Sequence, residues 1–198
     1  MNLQPVTLEG RDVRLEPLTE AHREGLCAVG FAPELWQFVP YQVASVEEMT
    51  AYIHTALQEQ RDGVSLPFAT IERSSGKVVG STRYMNIVSA HRRVEIGSTW
   101  LGGPWQRTAL NTEAKYLMLR HAFEGMACIR VELKTDALNL RSRAAIQRIG
   151  AQEEGTLRRH MVLWNGRLRD TVYYSVLDSE WPAVKASLES KIRATRPV

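Results

Sequence analysis

Cysteine is scarce in this chain, whose 198 residues include only Cys27 and Cys128, far apart and outside any CxxC or Cys/His cluster. This scarcity excludes a disulfide scaffold and argues against a zinc site. Long hydrophobic runs are also missing, and the N-terminal residues lack the apolar core of a signal peptide. We therefore expect a cytoplasmic protein that binds neither a membrane nor a metal.

A strong charge of one sign is absent too. The 25 Lys and Arg residues exceed the 22 Asp and Glu residues by a net charge of only +3. This excess fits an anionic ligand but is too small to indicate nucleic acid. Nucleic-acid binding through the arginines between residues 141 and 169 is kept as a minor hypothesis. With 44% hydrophobic residues and no linker or repeat, residues 1–198 are expected to form one domain.

Hydrophobic periodicity predicts about seven strands and five helices. Two predicted strands, near residues 93–101 and 129–135, flank a helix, which implies two parallel neighbours joined by a right-handed crossover. The segments around this unit read as antiparallel hairpins, one of them turning at Gly76. The expected fold class is therefore α/β (α+β), with a mixed central sheet and helices on both faces.

The segment between the two parallel strands contains a Gly102-Gly103-Pro104 turn that leads into a helix through polar residues. The start of a helix carries free backbone N–H groups and the positive end of its dipole, which together can bind phosphate. Ordinary helix capping by Asn111 or Thr112 is the alternative explanation. Arg141 and Arg143 lie in the first turn of the next predicted helix, where a cation is unfavourable unless an anion is nearby. A solvated arginine face explains them equally well.

The segments "WQRTALNTEAKYLMLRHAFE" and "RVELKTDALNLRSRAAIQRIGAQEEGTLRRHMVLWNGRLRDTVYYSVLDSEWPAVKASLE" resemble the GNAT superfamily of N-acetyltransferases, and most closely its Rim-type branch, which includes acetylases of ribosomal-protein N-termini. The resemblance implies a splayed sheet that holds acetyl-CoA between two parallel strands. It implies acetyl transfer to a primary amine by direct attack in a ternary complex. A non-catalytic CoA-binding or acyl-CoA-binding module is the alternative.

The same resemblance implies which residues bind the cofactor. They lie at the end of the first parallel strand, at the start of the helix that follows it, and at the start of the next helix: Thr99, Leu101, Gln106, Arg107, Thr108, Ala109, Leu110, Asn111, Thr112, Asn139, Arg141, Ser142 and Arg143. The chain departs from the family pattern at two points. Ala109 replaces the first glycine of the pyrophosphate loop, and Ile146 stands where many relatives carry a tyrosine acid.

Three residues are candidates for proton transfer. Glu95, on the strand leading into the cleft, is the first choice for the base that deprotonates the amine, and His160 is the rival because its ordinary pKa is near 6.5. Ser142 lies one helical turn after Asn139, so it is the favoured donor to the departing thiolate. Exposed or structural roles remain open for all three.

The amine acceptor is expected to enter opposite the cofactor, between the early helices and the last hairpin. Trp36, Phe38, Tyr41 and Tyr84 are the aromatic residues predicted to line that entrance, with simple packing as the alternative. A peptide N-terminus, a polyamine, an amino acid and an aminoglycoside all stay open as acceptors. The chain is expected to be a monomer or a homodimer.

Overall fold

The computed structural model describes residues 1–194, which form one eight-stranded sheet and five α-helices. The strands are β1 (Leu8–Glu9), β2 (Val13–Pro17), β3 (Leu66–Glu72), β4 (Val78–Val88), β5 (Arg93–Leu101), β6 (Arg130–Asp136), β7 (Gln152–Val162) and β8 (Leu168–Leu177). The helices are α1 (Arg23–Gly30), α2 (Val46–Arg61), α3 (Ala109–Arg120), α4 (Leu140–Arg148) and α5 (Trp181–Ala194).

Local sequence signals explain several helix ends. The Ser45 hydroxyl accepts from the backbone N–H of Glu48 at 3.2 Å, and the Glu48 carboxylate accepts from the backbone N–H of Ala44 at 2.6 Å. This reciprocal capping, by a serine and a glutamate three residues apart, fixes the start of α2. Just after α4, Gly150 adopts a φ of +97°, the left-handed conformation that ends this helix.

The strand order is β1-β2-β3-β4-β5-β6-β8-β7, and every neighbouring pair is antiparallel except β5 and β6. The mixed sheet predicted from the sequence is therefore confirmed. The structure has one strand more than the seven predicted. This additional strand is β1, whose two residues are too few to show an alternating pattern.

The parallel contact between β5 and β6 is short. Only three pairs are in register, running from Arg93 with Arg130 to Glu95 with Glu132. Beyond Glu95, β5 continues to Leu101 and β6 continues to Asp136 with no further pairing between them. The sheet therefore opens into a split, and the backbone groups of β5 that face β6 are left without a strand partner.

A β-bulge lies on β5 just inside this split. Gly97 pairs with Arg83 and Trp100 pairs with Ser81, so the two intervening β5 residues oppose Thr82 alone. Ser98 accommodates the extra residue with a φ of +46°. A Cβ on Gly97 would lie 2.5 Å from the Met85 sulfur, so this position requires glycine for the close approach of the two strands.

Two hydrophobic clusters cover the two faces of the sheet. Helices α3 and α5 pack over one face on Phe68, Tyr84, Val94, Ile96 and Val131. Helices α1 and α2 pack over the other face in a cluster that contains Ala69, Ile71 and Trp100. Because side chains alternate along a strand, Glu95 and Glu132 point to the α1–α2 face.

Candidate functional site

Helix α3 begins beside the end of β5. The Gln106 side chain donates to the carbonyl of Leu101 at 2.9 Å, which ties the turn to the strand. Arg107 then adopts a φ of +61°, and Thr108 is the N-cap. Neither of the two caps considered from the sequence, Asn111 and Thr112, is used, because α3 starts at Ala109 with Thr108 as its cap.

The backbone amides at the start of α3 are largely available. The Thr108 hydroxyl accepts from the N–H of Leu110 at 3.3 Å. Within residues 1–194, the amides of Thr108, Ala109 and Asn111 have no side-chain acceptor. A cavity of about 560 Å³ lies alongside, lined by Thr108, Ala109, Leu110, Arg11, Asp12, Glu72, Arg73 and Ser74. The helix start therefore keeps free donors next to open space, the geometry that suits an anion.

Helix α4 starts near the split with Asn139 as its cap. The Asn139 side-chain oxygen accepts from the N–H of Ser142 at 3.0 Å, so its amide nitrogen is the group left to contact a ligand. Arg148, at the other end of α4, reaches Thr112 on α3 at 3.5 Å. The two helices that carry predicted cofactor residues, α3 and α4, are therefore in contact.

The two arginines at the start of α4 differ in their surroundings. Arg143 donates to the Tyr174 hydroxyl at 3.1 Å and forms an ion pair with Glu153 at 3.2 Å. Its unfavourable position at the helix start is therefore compensated by a carboxylate of the protein itself. Arg141 is exposed, so of the two it is the one with a guanidinium free for a phosphate.

Glu95 is the last residue of β5 to pair with β6 before the split, and it is only 2% exposed. Its Oε2 accepts from Asn86 Nδ2 at 2.8 Å and lies 3.0 Å from Lys134 Nζ. These two contacts fix the orientation of the buried carboxylate. The proposed base is thus positioned at the closed end of the split.

His160 lies farther away, exposed on the outer strand β7. Its ring contacts Tyr173 at a centroid distance of 5.8 Å, and the Tyr173 ring in turn lies 5.8 Å from Lys134 Nζ. Two side chains therefore separate His160 from Glu95. This placement favours Glu95 over His160 as the base.

Two of the four predicted acceptor-lining aromatics are core residues instead. Tyr84 is fully buried under α3, where its hydroxyl donates to the carbonyl of Met118 at 2.6 Å. Trp36 is 1% exposed and donates to the carbonyl of Gly30 at 2.8 Å. Neither ring can contact a ligand, because each is buried by packing in the hydrophobic core.

The other two aromatics lie closer to the split. The Tyr41 hydroxyl donates to the Ser98 hydroxyl at 3.3 Å, beside the bulge, and burial raises the pKa of Tyr41. The carbonyl of Phe38 accepts from Arg169 at 2.9 Å. Trp164, in the β7–β8 turn, donates to the carbonyl of Trp36 at 3.0 Å. The loop before α2 is therefore fastened to the last hairpin, on the side where the acceptor is expected.

The sequence analysis missed Lys115, in the middle of α3. Its Nζ lies 2.6 Å from Thr99 Oγ1 and 3.3 Å from Thr82 Oγ1, and burial lowers the pKa of the ammonium to about 7. A lysine in a helix is normally read as solvent-exposed. The available signal was its spacing: Lys115 lies four residues before the buried Leu119, on an apolar face.

Two other features concern the residues that the structure describes. None of the helices within residues 1–194 is long and apolar enough to cross a bilayer. Those same residues contain no group of three His, Cys, Asp or Glu side chains arranged to hold a metal ion.

Comparison with known proteins links this geometry to one family. Residues 12–152 match the profile of the acetyltransferase (GNAT) domain. The protein named "Putative ribosomal N-acetyltransferase YdaF" from Bacillus subtilis (strain 168) is 34% identical over 110 residues, 56% of this chain and 59% of that relative. A GCN5-related N-acetyltransferase from Brucella melitensis superposes with a TM-score of 0.88 at 36% identity, covering 96% of this chain and 86% of that one. Mycobacterium smegmatis RimJ, solved with CoA-disulfide, shares the fold with a TM-score of 0.84 at 24% identity, covering 96% of each chain.

Proposed function

The chain belongs to the acetyltransferase (GNAT) domain family, and on that premise we propose that it acetylates a primary amine, either a protein N-terminus or a small-molecule amine, with acetyl-CoA as the donor. The amine attacks the thioester directly, with both reactants bound at once. Holding the two in line supplies a large part of the rate enhancement. The Rim-type resemblance agrees with the ribosomal N-acetyltransferase among the relatives.

The observation that carries the proposal is the split between β5 and β6. The β5 backbone past Glu95 has no strand partner on that side, so it can pair with the amide-containing arm of CoA as with an added strand. The diphosphate would be held by the backbone amides of Ala109 and Asn111, which have no side-chain acceptor within residues 1–194. The residues present therefore fit this cofactor.

The chain's own residues supply binding, orientation and proton transfer. An ammonium must lose a proton before it can attack, and Glu95 at the closed end of the split is the proposed acceptor of that proton, directly or through water. Asn86 and Lys134 hold its carboxylate in place. Asn139 and Arg141 are proposed to contact CoA from α4. Such a positioned base contributes roughly 10²–10⁴-fold to the rate.

The acceptor is proposed to approach from the α1–α2 face, where Glu95, Tyr41 and the bulge at Ser98 come together. A peptide N-terminus is favoured by the name of the B. subtilis relative. Small amines stay within the proposal because the loop before α2 and the β7–β8 hairpin enclose this side.

Incubation of the purified protein with acetyl-CoA and a panel of amines tests the proposal. The panel contains peptides with free N-termini, the same peptides with blocked N-termini, polyamines, amino acids and an aminoglycoside, and release of the CoA thiol is followed. Turnover with a free amine and none with its blocked counterpart is the expected result.

The competing function is CoA binding without chemistry, which the buried Ile146 at the usual acid position favours. Tight CoA binding by calorimetry, together with no thiol release from any amine, would replace the proposed function with this one.

A further inference from the structure

Lys115 is a buried cation without an ionic partner. It is 6% exposed, and within residues 1–194 its Nζ contacts only the Thr99 and Thr82 hydroxyls. Buried charges are normally paired with an opposite charge, because desolvation otherwise makes them costly. The nearest carboxylate along α3, Glu113, is committed to the backbone N–H groups of Arg11, Asp12 and Val13.

Within the described residues 1–194, no other element places a carboxylate in contact with Lys115. From β4 and β5, the groups that face Nζ are the two threonine hydroxyls, neither of which ionises in the accessible pH range. Glu95 points to the opposite face of the sheet and is bound to Lys134. The site thus has an excess of donors on the side of the split that α3 covers.

The hydrogen bonds around Thr99 have a direction. A hydroxyl has one proton to donate and two lone pairs to accept with. Thr99 Oγ1 accepts from Lys115 and lies 2.7 Å from Thr82 Oγ1, while its own contact with the carbonyl of Gly97 is long, at 3.4 Å. With Thr82 as donor in that pair, in place of its 3.6 Å contact with the Met118 sulfur, both lone pairs of Thr99 Oγ1 are occupied. The Thr99 proton can then turn from the Gly97 carbonyl to an acceptor in the split.

We propose that Thr99 donates this proton to the CoA sulfur when the thioester is cleaved, and that Lys115 is the positioning residue that replenishes it. This proposal rests on the cofactor placement proposed above. It assigns the role of proton donor to a residue on β5, supported by a residue on α3. The sequence favoured Ser142 on α4, whose backbone N–H donates to the side-chain oxygen of Asn139.

The step balances in protons and electrons. The amine nitrogen forms its bond to the acetyl carbon as the carbon–sulfur bond breaks, and the electron pair of that bond goes to sulfur. Sulfur takes the proton of Thr99 Oγ1, and Thr99 takes one from Lys115 Nζ. The amine's surplus proton goes to Glu95 or water, and the neutral Lys115 regains a proton from solvent. A lysine that titrates near neutrality can make this exchange in each turnover.

The first test measures the pKa of the bound CoA thiol and does not depend on turnover. The ultraviolet absorbance of the CoA thiolate is titrated with pH in the complexes of the wild type, Lys115→Met and Thr99→Val, after calorimetry has established binding. In the wild type the pKa of the bound thiol is expected below the free value of about 8.5, because the hydroxyl donates to the thiolate. Both variants are expected to return it toward the free value.

The second test compares rates. Lys115→Met and Thr99→Val are each expected to lower kcat by roughly 10²-fold with KM for acetyl-CoA little changed, and the double variant to lose no more than either single variant. Lys185→Met, which removes an exposed lysine bound to Glu124 on the far side of α3, is the control and keeps wild-type kcat.

The outcomes separate this proposal from the proposed function. A wild type that binds no CoA refutes the cofactor placement and this inference together. Binding with the same thiol pKa in all three proteins refutes the proton path alone, as does additive loss of kcat in the double variant.

Discussion

On the face of the sheet that packs against α1 and α2, Glu95 has Lys134 as an ionic partner, whereas on the face under α3 Lys115 has only hydroxyl partners. Both cations lie next to the same split. The difference follows from their neighbours: β6 presents Lys134 to a carboxylate on the adjoining strand, while α3 buries Lys115 over the hydroxyl groups of Thr82 on β4 and Thr99 on β5. The ion pair holds the Glu95 carboxylate in a fixed position, whereas the charge of Lys115 is compensated only by hydroxyl groups.

The largest effect is expected on catalysis. Glu95→Gln removes the proposed base and is expected to lower kcat by roughly 10²–10⁴-fold with little change in the Kd of acetyl-CoA. Steady-state kinetics and calorimetry on the same samples check this. Glu124→Gln, which alters an exposed carboxylate paired with Lys185, is the control. A kcat within a few-fold of the wild type would remove Glu95 from the mechanism.

Replacing the two lysines is expected to change the free energy of unfolding in opposite directions. Lys134→Met leaves Glu95 buried and unpaired, so a loss of about 3–5 kcal/mol in the free energy of unfolding is expected. Lys115→Met removes an uncompensated group, and a gain of a few kcal/mol is expected at neutral pH.

Chemical denaturation as a function of pH checks the stability gain expected for Lys115→Met. The pKa of Lys115 is lowered to about 7 in the folded state, so the unfolded chain binds more protons between that value and about 10.4. Wild-type stability should therefore rise with pH across this window. The advantage of Lys115→Met should be full below pH 7 and disappear above about 10.4. A destabilised Lys115→Met protein would mean that the ammonium has a compensating partner.

A charge at the start of α3 should act in opposite directions on stability and binding. Ala109→Asp places a carboxylate at the positive end of the helix dipole and is expected to add about 0.3–1 kcal/mol of stability. It should weaken CoA binding on the order of tenfold, about 1.4 kcal/mol, by repelling the diphosphate. Ala109→Asn is the neutral control of equal size. Unchanged CoA affinity in the aspartate variant would place the diphosphate elsewhere.

The smallest effect concerns an ion pair remote from α3. Arg130 and Ser175 hold the Glu154 carboxylate, and the pKa of Glu154 is lowered to about 2. Its stabilisation is full above the unfolded pKa of about 4.3 and is lost as the pH falls toward 2. Because the side chain is partly exposed, solvent screening keeps the contribution small. Acid denaturation of Glu154→Gln should show a shallower dependence on pH in this window than the wild type.

Periodicity was enough to predict the mixed sheet, the parallel β5–β6 unit and the existence of α3, because each depends on local residue patterns. The start of α3 was predicted too late, because Thr108 rather than Asn111 or Thr112 is its cap. The family resemblance implied that two parallel strands splay apart, but the residue patterns did not predict that β5 and β6 pair over only three residues, since register depends on contacts between distant segments. It placed Tyr84 and Trp36 at an entrance because an aromatic side chain looks the same in a core and in a pocket. Lys115 escaped notice for the converse reason: its charge suggested solvent, whereas its spacing placed it on the buried side of α3.

A crystal structure of the protein with bound acetyl-CoA tests the central claim most directly. The account predicts the pantetheine arm in the split, beside β5 residues beyond Glu95, with the diphosphate at the backbone amides of Thr108 to Asn111 and the sulfur within hydrogen-bonding distance of Thr99. Density for the cofactor outside the split, with the α3 amides uncontacted, would contradict it.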